Sequence, residues 1–315
     1  MRIAFMGKGG SGKTTVASAY ILYLSKNNLV TAIDADHNSN LQRALGINGV
    51  ALALSDKSAQ IRKYLAGSRN DLEGTTTIDT TPPSLKSNFF KDLCNDPYLT
   101  QYSMQKNNIV LYTVGSYQDD DKGVTCYHGK LGILSNILSH TLDTKNEYIV
   151  IDSTAGKDTV GTPLYFAYDM TIFVVEPTHR SLNIYLEYKK LIGEHYTNIY
   201  VIVNKYEDED EDFIANNIES DRLLGIIKYD SKARNIDDGD SSGLAYFAQN
   251  NSAIFDRINQ ELLTINRDWD QYYKNLLEAH KKLALEWYDS YYQQPISKQL
   301  DPNFTYPKAI DSLHD

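Results

Sequence analysis

The residues best placed to do chemistry lie near the start of the chain. Residues 7–15 read Gly-Lys-Gly-Gly-Ser-Gly-Lys-Thr-Thr, which satisfies the G-x-x-x-x-G-K-[ST] pattern of a phosphate-binding loop. Glycines let backbone N–H groups curl around a phosphate, and a following helix N-terminus adds partial positive charge. Lys13 is predicted to bridge the β- and γ-phosphates of a nucleotide, and the Thr14 hydroxyl to bind Mg²⁺. The alternative, a chance glycine-rich turn, is disfavoured by the strand-like segment before the loop and the helical pattern after it. The predicted nucleotide contacts of the loop are Gly9, Gly10, Ser11, Gly12, Lys13, Thr14 and Thr15.

A second group able to hold Mg²⁺ ends an apolar segment in the middle of the chain. Residues 148–151 read Tyr-Ile-Val-Ile and are followed by Asp152. A carboxylate at the end of a buried strand is the expected partner of the metal in such sites, here through a water molecule. The turn that follows, residues 153–156, ends in Gly156, whose flexible backbone is expected to sense the γ-phosphate.

The elements that must position these groups alternate between strands and helices. Apolar strands are predicted at residues 3–6, 30–33, 109–114, 148–151, 171–175, 199–203 and 223–227, and helices at 14–26, 131–142 and 182–194. Strands that are apolar on both faces and alternate with helices indicate a mostly parallel sheet with helices on both faces. The predicted class is therefore an α/β P-loop NTPase, and such sheets bind ligands at the carboxyl ends of their strands.

The loop carries a second lysine, Lys8, which one nucleotide does not require. Gly-Lys-Gly-Gly-x-Gly-Lys-Thr-Thr resembles the deviant Walker A signature of the MinD/ParA superfamily. The likeness is greatest to the branch that holds the nitrogenase iron protein and the ATPase for nickel insertion into carbon monoxide dehydrogenase. The resemblance implies an ATPase that forms a homodimer when ATP is bound, with Lys8 reaching the nucleotide of the other subunit. The alternative is a surface lysine without a role.

The same resemblance assigns further residues. Residues 32–38, Ala-Ile-Asp-Ala-Asp-His-Asn, resemble the family's switch I, and residues 152–156 resemble its Asp-x-x-Ala-Gly turn. It implies that Asp36 positions the attacking water and that Asp34 lies in the second shell of Mg²⁺; a turn-capping aspartate is the alternative for Asp36. It also implies that Asn204 contacts the adenine amino group, and that Tyr229 and Asp230 lie near the purine.

A transition-metal site is a further hypothesis from the resemblance. The nickel-insertion group carries a Cys-x-Cys pair where this chain has Cys126 and His128. Two subunits would supply Cys₂His₂, a set that suits Zn²⁺ or Ni²⁺ at a dimer interface. A buried cysteine and a solvated histidine are the alternative.

Two regions have no recognised counterpart. We expect residues 1–250 to form the ATPase domain, with 48–108 as an irregular insertion, and residues 251–315 to form a C-terminal helical extension. From Phe255 to Leu276, apolar residues recur at spacings of 3 and 4, which predicts one long amphipathic helix or two. This apolar seam either packs back on the ATPase core or serves as a docking or dimer-extending surface.

The charge and the hydrophobic pattern of the chain disfavour some classes of binding partner. The net charge of -10 opposes binding to DNA or anionic lipid, and no apolar run approaches the roughly 20 residues of a membrane span. Two cysteines and a strand-like start without room for a leader predict a cytoplasmic protein. The favoured hypothesis is an ATP/ADP switch that acts on a client protein, for instance in metalloenzyme maturation. A partition-type ATPase acting with DNA or membrane and a non-catalytic nucleotide-binding scaffold remain as alternatives.

Overall fold

A central sheet dominates the chain. A computed structural model describes residues 1–50, 52–117, 127–154, 159–193 and 198–312. Within them, eight strands form one sheet in the order β3-β4-β2-β5-β1-β6-β7-β8, and only the β3–β4 pair is antiparallel. This confirms the predicted mostly parallel sheet. The strands are β1 Arg2–Met6, β2 Val30–Ala35, β3 Met104–Lys106, β4 Ile109–Thr113, β5 Tyr148–Ser153, β6 Met170–Val175, β7 Ile199–Tyr206 and β8 Leu223–Lys228.

Helices cover both faces of this sheet, as expected. Alternate residues of β1 point to opposite cores: Ile3 and Phe5 contribute to one, Ala4 and Met6 to the other. Helices α1, α2, α7 and α8 bury apolar side chains in the first core, and α3, α4, α5, α9 and α11 do so in the second. The described α-helices are α1 Lys13–Leu24, α2 Leu41–Ala44, α3 Ser58–Ala66, α4 Tyr127–Ser139, α5 His179–Ile192, α6 Glu211–Asn217, α7 Ser241–Asn250, α8 Ser252–Thr264, α9 Trp269–Leu283, α10 Asp289–Tyr292 and α11 Tyr306–Asp311.

Residues 48–108 contain more regular structure than the sequence indicated. Helix α3 buries Ile61 and Leu65, an i, i+4 pair too short to predict a helix by periodicity. Strand β3 reaches β4 through a two-residue turn in which Asn107 has φ +53°, a conformation that asparagine tolerates. This hairpin closes one edge of the sheet.

The C-terminal seam is divided between two helices on opposite faces. Phe255, Ile258 and Leu262 of α8 join the first core, whereas Tyr272 and Leu276 of α9 join the second. The helices are separated at residues 265–268, where the Asp268 carboxylate accepts the Gln271 N–H at 2.9 Å and caps α9. The 3-and-4 spacing persists because each helix presents its own apolar face to the sheet.

Between α8 and α9 the chain passes from one face of the sheet to the other at residues 265–268, and we call this segment the crossing. A cluster of buried ion pairs fixes it in place. Arg267 Nη2 lies 2.8 Å from Asp143 Oδ2 and 2.6 Å from Asp169 Oδ2, and Arg2 Nη2 lies 2.6 Å from Asp143 Oδ1. Burial opposes ionisation of Asp143, but the two guanidinium groups hold the pKa of its carboxyl far below the usual range. In the part of the chain that the structure describes, no helix has the length and apolarity needed to cross a membrane.

A candidate nucleotide site at the carboxyl ends of the strands

The phosphate loop connects β1 to α1 through a tightly constrained backbone. Gly10 and Gly12 have φ of +84° and +90°, which favour glycine. A Cβ on Gly7 would lie 2.5 Å from the Val174 carbonyl oxygen, and one on Gly12 would lie 2.2 Å from Asn204 Nδ2. The Ser11 N–H donates to the Lys8 carbonyl oxygen at 3.0 Å and closes the loop. Close approach by β6 and β7 therefore accounts for the glycines at positions 7 and 12.

The functional side chains of the loop are already paired with carboxylates. Lys13 Nζ lies 2.5 Å from Asp36 Oδ2, and Thr14 Oγ1 donates to Asp152 Oδ2 at 2.7 Å. Burial alone would raise the pKa of Asp36, but the Lys13 ammonium overcomes it and lowers that pKa. Burial likewise opposes protonation of Lys13, yet Asp152 and Asp36 raise its pKa. At neutral pH both partners are charged.

Strand register places Asp34 beside Asp152. The two residues are directly paired across β2 and β5, and both are completely buried. Asp34 accepts the N–H of Asp36 at 3.2 Å and that of Leu41 at 2.9 Å. Burial, followed by the charge of Asp152, raises the pKa of Asp34 well above its usual range. Two adjacent buried carboxylates and the Thr14 hydroxyl form a hard oxygen donor set that fits Mg²⁺, because a divalent cation would relieve this repulsion.

A cavity of about 340 Å³ extends from the loop towards the ends of β7 and β8. It brings together the phosphate loop with Asn204, Tyr229 and Asp230, as expected from the sequence. Asn204 Nδ2 donates to the Ser11 carbonyl oxygen at 2.8 Å, so its Oδ1 is the atom left to accept from an adenine amino group. The Asp230 carboxylate accepts the Lys232 N–H at 2.8 Å and starts a 3₁₀ turn. Lining residues that sequence reasoning missed are Asn38, Asn40, Lys205, Lys228, Ala233 and Phe247.

Lys8 lies at the rim, apart from the carboxylates that hold Lys13. Its Nζ is 3.9 Å from Glu176 Oε2, and its side chain is 27% exposed. Lys205 Nζ contacts the other oxygen of Glu176 at 2.7 Å and donates to the Gly10 carbonyl oxygen at 2.5 Å. The sequence signal for Glu176 and Lys205 was only weak, because each is a single charged residue in the segment where an apolar strand ends.

Comparison with known proteins identifies the family. Residues 3–241 match the model of the CobQ/CobB/MinD/ParA nucleotide binding domain. The chain belongs to this family. The match spans the phosphate loop, all eight described strands and both carboxylate-bearing turns, so it covers the site geometry described above. The resemblance to the MinD/ParA superfamily is thereby confirmed.

Relatives within the family are moderately similar. The chain is 30% identical over 250 residues to the carbon monoxide dehydrogenase accessory protein CooC of Rhodospirillum rubrum, covering 78% of this chain and 89% of that protein. It is 29% identical over 238 residues to an uncharacterized ATP-binding protein of Methanocaldococcus jannaschii, covering 74% and 86%. The solved ParA family ATPase of Chlorobium tepidum TLS aligns with a TM-score of 0.52 at 19% identity, covering 83% of this chain and 97% of that one. The structure of apo McdA of Cyanthece aligns with a TM-score of 0.53 at 17% identity, covering 83% of this chain and 98% of that one. These two structures establish the shared fold.

One prediction about this family member needs correction. The helix expected to begin at Leu131 already includes Tyr127, so His128 lies within the helix and not in a loop before it. The Tyr127 N–H donates a hydrogen bond to Tyr117 Oη at 2.9 Å. Cys126 lies outside the described residues, and within the described residues no three or more His, Cys, Asp or Glu side chains are grouped so that they could hold a metal ion.

Proposed function

We propose that this chain is an ATPase that hydrolyses ATP to ADP and phosphate, slowly when alone, and acts on a partner protein. The observation that carries the proposal is the double pairing of Lys13 with Asp36 and of Thr14 with Asp152 at the loop. In a phosphate loop that only binds nucleotide, no carboxylate is needed beside the lysine. Here the Asp36 carboxylate lies 2.5 Å from the lysine that is predicted to bridge the β- and γ-phosphates.

The pairing suggests how hydrolysis proceeds. Binding of the triphosphate draws Lys13 from Asp36 onto the phosphates, because their negative charge competes for the ammonium. Asp36 is then free to accept a hydrogen bond from water and aim its oxygen at the γ-phosphorus. The water oxygen forms the new bond to the γ-phosphorus, and the bond from that phosphorus to the bridging oxygen breaks, with its electron pair staying on ADP. The proton of the water passes to the released phosphate, and ADP leaves. The contribution assigned to Asp36 is orientation of the water.

Mg²⁺, when bound, would neutralise charge on the β- and γ-phosphates. Thr14 and Asp152 are the residues that would hold it, with Asp34 behind Asp152. Asn204, Tyr229 and Asp230 would place the base at the far end of the cavity.

Lys8 completes the site from a second subunit in this proposal. In its own chain it lies on the rim beside Glu176, where it cannot replace Lys13. A cation supplied by a partner subunit stabilises the charge that develops on the phosphates, as an arginine finger does. Turnover therefore depends on an ATP-bound homodimer.

Sedimentation and phosphate release test these claims together. Wild type is expected to dimerise with a non-hydrolysable ATP analogue and Mg²⁺ but not with ADP. Lys8→Ala should lose the dimer or form one that releases no phosphate, whereas Lys86→Ala, a change at an exposed lysine, should behave as wild type. An unchanged monomer in every state refutes the trans-lysine mechanism. A nucleotide-bound dimer without phosphate release refutes the ATPase and favours a non-catalytic scaffold.

We further propose that the client process is the maturation of a metal centre. The 30% identity to a carbon monoxide dehydrogenase accessory protein and the Cys126–His128 pair support this choice. Metal analysis of the ATP-bound dimer should find Zn²⁺ or Ni²⁺, which Cys126→Ser loses. Cys94→Ser is the matched control, because Cys94 is buried beside Thr31 and should leave the metal bound. A metal-free wild-type dimer contradicts the proposal, and a gel shift with ATP and plasmid DNA tests the partition-type alternative.

A further inference from the structure

Tyr127 occupies an unusual position between helix α4 and the nucleotide site. It is the first residue of α4, and its side chain is buried, with 5% relative exposure for the residue. Its ring meets the ring of His37 edge-on, with centroids 5.9 Å apart, and His37 directly follows Asp36. The Tyr127 side chain thus packs against the turn that carries the proposed water-orienting carboxylate.

The hydroxyl of Tyr127 has no obvious structural use. Among the described residues, Tyr127 Oη is buried and makes no hydrogen bond. A buried polar group without a partner is unfavourable, and its persistence calls for an explanation. Burial, followed by the charges of Asp34, Asp36 and Asp152, raises the pKa of Tyr127 above its usual range. The phenol therefore stays neutral and lies within electrostatic reach of these three aspartates.

The pairing of Asp36 changes when a nucleotide is bound in the mechanism above. Without nucleotide, Asp36 is held by Lys13 and accepts the N–H and Nδ2 of Asn38 at 2.9 and 3.0 Å. The triphosphate removes Lys13, which leaves a buried carboxylate oxygen short of a donor. Tyr127 holds a donor that is short of an acceptor.

We propose that Tyr127 is a positioning residue for ATP hydrolysis: its hydroxyl donates to Asp36 once ATP has drawn Lys13 away. This hydrogen bond holds the carboxylate on the attacking water. The inference rests on the proposed ATPase function and adds a residue that neither the phosphate-loop motif nor the switch segments include.

Tyr127→Phe removes this hydroxyl and little else. In single-turnover hydrolysis with protein in excess over ATP and Mg²⁺ present, the rate should fall roughly 10- to 100-fold, the effect of losing one hydrogen bond to a charged group. The dissociation constant for ATP should rise as well, because this hydrogen bond forms only when ATP is bound and therefore contributes to ATP binding. The melting temperature should not decrease, because the hydroxyl has no partner in the nucleotide-free protein.

Tyr306→Phe is the matched control. Tyr306 is also fully buried, but its hydroxyl donates to the Ser139 carbonyl oxygen at 2.7 Å, far along α4 from the site. This variant should lower the melting temperature and leave the hydrolysis rate unchanged. A Tyr127→Phe rate equal to wild type overturns the inference and leaves the ATPase proposal intact. If the wild type binds Mg²⁺–ATP but releases no phosphate, the proposed function fails, and the role of Tyr127 fails with it.

Discussion

Three glycines of the phosphate loop form a graded test of how the loop is held. A Cβ on Gly9 would meet no atom within 4 Å, and its φ lies outside the left-handed region. Gly10 has φ +84° but open space around it, and Gly12 combines φ +90° with a Cβ position 2.2 Å from Asn204 Nδ2. Alanine is therefore expected to cause no strain at position 9 and backbone strain at position 10. At position 12 it is expected to cause both backbone strain and a steric clash.

The magnitudes follow from these differences. Left-handed backbone costs a non-glycine residue ~1–2 kcal/mol, while a stiffer unfolded chain returns ~0.4–1 kcal/mol. Gly9→Ala should thus be neutral or slightly stabilising, and Gly10→Ala should cost about 0.5–1 kcal/mol on the same principles. Gly12→Ala also forces Asn204 from its 2.8 Å hydrogen bond to Ser11, and the buried amide lost there adds ~1–3 kcal/mol. The total for Gly12→Ala is about 1.5–4 kcal/mol.

The free energy of unfolding of the three variants is measured by urea denaturation without nucleotide. Midpoints are compared only if the dependence of the free energy on urea concentration, the m-value, is the same for all variants. The expected order of stability is Gly9→Ala at or above wild type, then Gly10→Ala, then Gly12→Ala. If Gly12→Ala is no less stable than Gly10→Ala, Asn204 does not brace the loop and the argument from close approach is wrong.

Three further predictions concern the metal, the crossing and the buried histidines. Asp152→Asn should lower Mg²⁺–ATP affinity, measured by titration calorimetry, towards the value that wild type shows in EDTA, and an unchanged affinity would contradict the assigned metal site. Arg267→Met leaves buried carboxylates without a cation, so unfolding should become easier by about 3–5 kcal/mol, against at most ~0.5 kcal/mol for the exposed control Arg257→Met. Burial lowers the pKa of both His140 and His280 to about 4. Since their unfolded pKa is ~6.5, their contribution to stability is complete above that pH and decreases by ~1.4 kcal/mol per pH unit for each histidine as the pH falls towards 4. His280→Gln should remove one such contribution from the slope measured between pH 6 and 5, and an unchanged slope would rule it out.

The sequence by itself was sufficient to predict the phosphate loop and seven of the eight described strands. The loop residues are contiguous, and the spacing of Gly7, Gly12 and Lys13 is a local property that needs no knowledge of the fold. Strands that are apolar on both faces can also be predicted from sequence, because about five or six consecutive apolar residues are enough to indicate them. The prediction for Asp152 has the same basis, because this residue follows the apolar residues 148–151.

Only the tertiary structure decided which charged groups meet. Lys13 and Asp36 belong to different βα units, and Asp34 faces Asp152 across strands more than a hundred residues apart in sequence. No sequence motif around Glu176 predicts its contact with Lys8. The crossing at residues 265–268 was hidden because a 3-and-4 apolar spacing specifies one buried face for each helix but not which side of the sheet that face covers. Pairings between distant segments depend on strand order and register, and these are fixed by the packing of the whole chain.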